Sequence, residues 1–373
     1  MLHTIIRHRV FLSFVGLLFI LCAVVIPSTI HAQTASGINK SNTTSNLSHK
    51  LTSLAQVKNW LYFISKEPTQ EDLTKIESSS YDMVVIDNLH SLKGSSDYPL
   101  RNMLQRWHSA AHPKLALAYI DIGEAESYRT YWQEGWKVGN PSWIVGKDPD
   151  GWDGSFPVAF WHQDWQKIWL DKQKGYLQDI LNAGFDGIYL DWVQAYQDKS
   201  VTEAAKKQGK DPQKEMANWV RTLANFARAQ KQDFLVIGQN VPELALDEKI
   251  YFDTIDALAQ EQTWFDGGVN NMPPGGCPLP QTDADVDSTS YYNSLSDACK
   301  AAYKANPDGS LHESTASHLK NWEALHNQGK PIFTVDYAEK PENIDKVYRV
   351  SRSLGFVPLV TTRNLDKYVP PHI

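Results

Sequence analysis

Cysteine is scarce in this chain, three in 373 residues, and that scarcity excludes a small disulfide-dense scaffold or a cysteine-rich metal domain. Positive charge is also short: 36 Lys and Arg against 43 Asp and Glu give a formal net charge of -7. An acidic chain argues against a nucleic-acid partner, whose phosphates call for basic patches, and is compatible with a cationic ligand.

Several catalytic signatures are missing as well. His312-Glu313 is followed by His318, too far along for two metal ligands on one helical face, so metal-assisted hydrolysis is not expected. No Gly-x-Ser-x-Gly elbow is present, so acyl-enzyme chemistry lacks its nucleophile. Asp283, Asp285 and Asp287 alternate like the opening of a calcium loop, but Ser288 replaces the glycine and Ser294 stands where the closing acid belongs. Neither a metal nor an organic cofactor is expected.

Only one long apolar run exists, Val10 to Ile26, 17 residues without a charge. Arg7 and Arg9 precede it, and Ile30-His31-Ala32 offers a small-residue cleavage site, so residues 1–32 read as a signal peptide and the protein as secreted or cell-surface. Membrane contact is expected only through this segment if it stays uncleaved. Cleavage would remove two positive charges and no acids, taking the formal charge from -7 to -9. Cys22 leaves with the segment. Cys277 and Cys299 remain in an oxidising compartment, where pairing is the default, and their bond would contribute about 3 kcal/mol on the loop-entropy estimate.

Residues 33–56 are rich in Ser, Thr and Asn and read as a disordered leader, with glycosylation sequons at Asn42 and Asn46. From Val57 on, short apolar runs alternate with segments of helical period. Strands are expected at Trp60 to Ile64, Met83 to Asp87, Leu115 to Ile120, Gly187 to Asp191, Phe234 to Gly238, Ile255 to Ala259, Ile332 to Val335 and Phe356 to Val360. Helices are expected near Gln70 to Ser78, Pro99 to Ser109, Trp165 to Ala183, Pro212 to Gln230, Ser314 to Gln328 and Glu342 to Leu354. Eight such strands imply an α/β fold, a single (β/α)8 TIM barrel over 57–373, with long loop insertions at the C-terminal face. A doubly wound open sheet fits less well, since no glycine-rich phosphate loop follows the first strand. The insertions are Gly135 to His162, dense in Trp, and Gly267 to Gly309, which holds the cysteine pair. Both follow strand ends at the expected mouth and should wall a substrate cleft. A monomer is expected.

Polar residues close nearly every strand: Asp87, Asp121 with Glu124, Asp191, Gln239 with Asn240, Glu261, Asp336 with Tyr337, and Arg363. In a barrel these converge on one pocket. Two carboxylates from different strands beside aromatic rings meet the needs of glycosidic bond cleavage, one to protonate the leaving oxygen and one to attack or to activate water. Asp191 and Glu261 fit best. Each ends an apolar strand and has a tryptophan within three residues, Trp192 and Trp264, able to stack on a sugar. Strand-end acids also serve as helix caps, and at least half of the 13 tryptophans should fill the core. Arg363 should pair with a neighbouring carboxylate.

With these residues in view, the chain resembles glycoside hydrolase family 114, the endo-α-1,4-polygalactosaminidase-like barrels, from about Trp60 to Asp366. The resemblance rests on YIDIGEAESYRTYW (Tyr119 to Trp132), GFDGIYLDWV (Gly184 to Val193), VIGQN (Val236 to Asn240), IDALAQEQTWF (Ile255 to Phe265) and VDYA (Val335 to Ala338), in that order. It implies hydrolysis of α-1,4-linked, partly deacetylated galactosamine polymer, a cationic amino-sugar polysaccharide. It also implies Asp191 as nucleophile and Glu261 as acid/base of a retaining mechanism, with Asp87, Tyr119, Asp121, Gln239, Asn240, Asp336 and Tyr337 lining the subsites. The 43-residue stretch 267–309 departs from the plainest family pattern, so the polymer accepted can differ. A non-catalytic polysaccharide-binding barrel and a hydrolase of another α-linked glycan are the alternatives.

Overall fold

The structure, a computed structural model, describes residues 54–64, 67–149, 151–267, 276–307 and 309–372. The expected signal segment, residues 33–53 of the expected leader with both sequons, and residues 268–275 of the second insertion lie outside these residues.

Eight strands form one sheet in chain order: β1 Trp60–Phe63, β2 Met83–Asp87, β3 Leu115–Asp121, β4 Gly187–Asp191, β5 Leu235–Gln239, β6 Ala257–Glu261, β7 Ile332–Tyr337 and β8 Val357–Thr361. Every neighbouring pair is parallel. The first and last strands meet through side chain and loop, since Trp60 Nε1 donates to the Val357 carbonyl at 3.0 Å and the Ile64 N–H to that of Leu365 at 2.9 Å. With helices between the strands, this is the (β/α)8 TIM barrel.

Strand parity sorts the side chains into two layers. Trp60, Tyr62, Met83, Val85, Leu117, Tyr119, Tyr189, Ile237, Val335 and Leu359 fill the barrel interior. Their alternates, among them Leu61, Val84, Ile86, Ala116, Ile188 and Leu190, pack outward against the helices. Leu54 and Val57 are buried with the interior group, so the packed body starts three residues before the expected boundary.

The segment Gly184–Gly187 shows how the sequence delivers β4. Gly184 ends the helix Tyr176–Ala183 in the left-handed region, φ 102°, where a glycine pays no steric penalty. Asp186 then accepts from the Ala116 N–H at 3.0 Å and from Lys231 Nζ at 2.9 Å, pinning the strand's start between its neighbours. At Gly187 a Cβ would come within 2.5 Å of the Leu235 carbonyl oxygen, so the close approach of β5 requires glycine.

One helix expectation is corrected. Trp165 to Ala183 is two helices, Gln163–Leu170 and Tyr176–Ala183. Asp171 Oδ1 accepts from the N–H groups of Gln173 and Lys174 at 2.8 and 3.1 Å, a side-chain turn that replaces the helical ladder. Cys277 and Cys299 are bonded, their Cα atoms 5.5 Å apart. Ten of the 13 tryptophans are buried.

Candidate active site

Interior parity carries Asp87, Asp121, Asp191, Gln239, Glu261 and Tyr337 to the top of the barrel, in line with Val85, Tyr119, Tyr189, Ile237, Ala259 and Val335 below them. Three successive strands then end alike. Trp192, Asn240 and Gln262, directly after β4, β5 and β6, have φ of 53°, 61° and 53°. Such a left-handed turn costs a non-glycine residue about 1 kcal/mol or more. It stops the strand abruptly and folds polar groups back on it. The Trp192 N–H donates to Asp191 Oδ1 at 2.8 Å, and the Glu261 N–H donates to Asn240 Oδ1 at 2.9 Å.

Asp191 and Glu261 face each other across one amide. Gln239 Nε2 donates to Asp191 Oδ1 at 2.9 Å and to Glu261 Oε2 at 2.8 Å. Those oxygens therefore lie no farther apart than about 5.7 Å, the two bonds laid end to end. Asp191 Oδ2 accepts from the Tyr119 hydroxyl at 2.7 Å. Glu261 Oε2 also accepts from Asn240 Nδ2 at 3.0 Å, while Oε1 accepts from the Tyr337 hydroxyl and, at 3.1 Å, from Arg363 Nη1.

Burial drives the electrostatics. It lifts the Asp191 carboxyl to about 7, helped by the nearby Glu261 charge and opposed by the Tyr119, Trp192 and Arg363 contacts. Asp121 rises well above the ordinary carboxylate range, first through burial and then through Glu126 and Asp191. Glu124 rises too, through burial and then Asp121. Asp121 Oδ1 is held by the N–H groups of Gly123 and Glu124 at 3.0 and 2.8 Å, whereas buried Glu124 Oε1 has no hydrogen-bond partner among the described residues. On the far side Arg129 joins Asp87 at 2.5 Å and Glu126 at 2.7 Å in a fully buried triad.

These groups open into one cleft of about 1210 Å³, larger than the usual small-molecule pocket. Of the expected residues, Asp87, Tyr119, Asp121, Glu124, Asp191, Trp192, Asn240, Glu261 and Arg363 line it. Both insertions reach it, the first through Pro149, Gly151, Trp152, Asp153 and Ser155, the second through Ala302, Ala305, Asn306 and Gly309. Trp136, Trp143 and Trp161 of the first insertion do not; Trp136 packs edge-on against Trp143, which leans on Trp165 of the neighbouring helix.

Four expected substrate contacts stand behind the wall instead. Asp336 has the outward parity of Thr334, and its Oδ1 accepts from the N–H groups of Trp264 and Phe265 at 2.6 and 2.9 Å. It pins the loop after β6, and burial lifts it to about 7. Trp264 turns away from the mouth, its Nε1 donating to Ser351 Oγ at 2.9 Å, and packs with Val347 and Tyr348. Gln239 and Tyr337 are wholly buried and reach the cleft only through the acids they bond. Sequence reasoning missed Tyr62, Tyr189 and Arg129. The two tyrosines are findable by parity, as interior rings on β1 and two residues before Asp191. Arg129 carries no strand-end signal.

The model of glycoside-hydrolase family GH114 matches residues 41–371. An uncharacterized protein of Deinococcus radiodurans is 31% identical over 300 residues, 80% of this chain and 79% of its own. Among solved structures, the glycoside hydrolase domain of PelA from Pseudomonas aeruginosa is 16% identical with a TM-score of 0.49, covering 83% of this chain and 97% of that one. Ega3 of Aspergillus fumigatus, solved in complex with galactosamine, is 16% identical with a TM-score of 0.48, covering 85% and 96%.

Proposed function

Because the chain belongs to glycoside-hydrolase family GH114, and is thus a glycosidase, we propose that it cleaves α-1,4-linked, partly deacetylated galactosamine polysaccharide with Asp191 and Glu261. The observation that carries this reading is the single amide spanning the two acids. An oxygen separation of at most about 5.7 Å falls short of the roughly 6.5–9.5 Å that an inverting enzyme needs for water, and suits the roughly 5–5.5 Å of retention.

In this reading Asp191 attacks the anomeric carbon while Glu261 protonates the departing oxygen, and Glu261 then withdraws a proton from the water that releases the sugar. The pair works with one proton between its two members. Burial raises the Asp191 carboxyl to about 7, so Asp191 must give up its proton before it can attack as the ionised nucleophile. Asp121, Glu124 and Asp153 line the same cleft; burial raises the first two, and a substrate ammonium group placed beside them would favour their charged forms, which supports an amino-sugar substrate. Trp152 and Trp192, also on the lining, supply rings for stacking on sugar faces. Secretion belongs to the same proposal, since a polymer of this size is met outside the cell; no helix among the described residues is long and apolar enough to cross a membrane.

The test is incubation with partly deacetylated α-1,4-galactosamine polymer, followed by mass spectrometry of the products and NMR of the first anomer released. New reducing ends in the α configuration are expected. Saturable binding without new ends points to a non-catalytic barrel, and cleavage only of a different α-glycan in a defined oligosaccharide panel overturns the substrate.

A further inference from the structure

The amide between the acids has a fixed orientation, and the floor of the barrel explains it. The Tyr189 hydroxyl donates to Gln239 Oε1. With its oxygen engaged from below, the Gln239 side chain must turn its NH2 group upward, where each of its two hydrogens meets one carboxylate. A flipped amide would set Oε1 against two acceptor carboxylates and face its NH2 to a hydroxyl already committed as donor. Gln239 and Tyr189 are both 0 % exposed, and neither belongs to the cleft lining. Substrate therefore touches neither.

We infer that Gln239 is a positioning residue for the reaction and that Tyr189 is the device that keys its amide, so that the two acids are held apart at working distance and kept from bonding directly to one another. Two carboxyls this close otherwise tend to share a proton in a direct hydrogen bond, as like charges a few ångströms apart cannot both ionise. The interposed NH2 gives each acid its own donor and keeps the two from locking onto one shared proton. The rest of the floor has the same purpose at the flanks: Tyr119 reaches Asp191, and Tyr337 with Arg363 reaches Glu261. Tyr62 packs tilted against the keying ring, centroids 4.9 Å apart and planes at 49°, and limits its swing. Charged and titratable groups facing the pair, among the described residues, are thus Tyr62, Tyr119, Asp121, Glu124, Tyr189, Tyr337 and Arg363.

The inference rests on the proposed two-acid cleavage, and its test uses one readout that needs no turnover. Gln239→Leu and Tyr189→Phe are compared with wild type by steady-state kinetics on the polymer and by ¹³C NMR titration of labelled Asp and Glu carboxyls. Gln239→Leu should lower kcat on the order of a hundredfold, the scale of a small misplacement of reacting groups, with KM nearly unchanged. Tyr189→Phe should lower it on the order of tenfold, with the fold retained because only one oxygen is removed. In both, the two carboxyl titrations of the pair should move further apart. A rise in KM at constant kcat would make Gln239 a subsite residue instead, and wild-type kcat with unmoved titrations in Tyr189→Phe would reduce both residues to packing. If wild type leaves the polymer intact while the titrations still separate, the substrate reading fails and the positioning stands.

Discussion

Arg363 Nη1 stands 3.1 Å from Glu261 Oε1, an ion pair whose side chains are only 17 % and 10 % exposed. The same guanidinium lies 5.2 Å from the Tyr337 ring and 5.3 Å from that of Trp152. Among the described residues it is the cation paired with a reacting acid, and its charge lowers the Asp191 carboxyl.

The active pair carries one proton, and burial lets Asp191 hold it up to about 7. Above that pH the last proton leaves, so kcat/KM should fall through a descending limb near 7. Arg363→Gln removes a charge that favours deprotonation, and the limb should move to higher pH. A pH profile of both proteins checks this; a limb that stays put or moves down contradicts the electrostatic assignment.

Asp191→Asn and Glu261→Gln should each cut hydrolysis on the order of a thousandfold, within the usual range for losing an acid or base. Stability should move the other way for Asp191→Asn. That change replaces a carboxyl that burial already raises to about 7 by a neutral amide whose carbonyl still accepts from Trp192 and Gln239, so thermal unfolding should hold or rise. A large drop in midpoint would mean that lost folding, and not lost chemistry, explains the inactivity.

Arg129 neutralises Asp87 and Glu126 in a triad at 1 % exposure for the arginine side chain and 5 % for each acid. Arg129→Met leaves two buried acids uncompensated and should cost about 3–5 kcal/mol. Asp87 is already pushed up to about 6 by burial in spite of Arg129. A folded-state value above the unfolded one means stability is lost as pH rises, so the penalty should be largest above neutrality and shrink as Asp87 protonates. Urea unfolding at pH 5 and pH 8 reads the difference.

The bond between Cys277 and Cys299 closes a 22-residue separation in the second insertion. Replacing both by serine should destabilise by about 3 kcal/mol on the entropy estimate. Since Ala302, Ala305 and Asn306 of that insertion line the cleft, KM for long polymer should rise more than KM for short oligosaccharides. Equal effects on both would place the insertion outside the polymer path.

All eight strands were legible because each is a short apolar run cut off by a polar residue, and Asp191 and Glu261 stood out as acids that end such a run with a tryptophan within three residues. What misled was treating every strand-end polar residue as equal. Asp336 sits one position out of register with the interior row of Phe333 and Val335, and a count by twos along β7 assigns it to the outer face. Trp264 could not be placed this way, since it lies in a loop and its direction depends on Ser351, 87 residues later. Arg129 was invisible for a similar reason: its partner Asp87 is 42 residues upstream, and only the folded chain brings them together. The break at Asp171 was hidden by helical periodicity on both sides of it.

The left-handed residues that close β4, β5 and β6 set stability and turnover against each other. Glycine at 192, 240 or 262 would relieve about 1 kcal/mol of backbone strain at each, and at 240 and 262, where no buried tryptophan is lost, would look attractive in any search for a hardier protein. Each gain would free the hinge beside Asp191, Gln239 or Glu261, and at Asn240 would also take away a donor to Glu261. Thermal selection alone should therefore drift toward a sturdy barrel that no longer cuts, and selection for cutting should keep these three awkward turns.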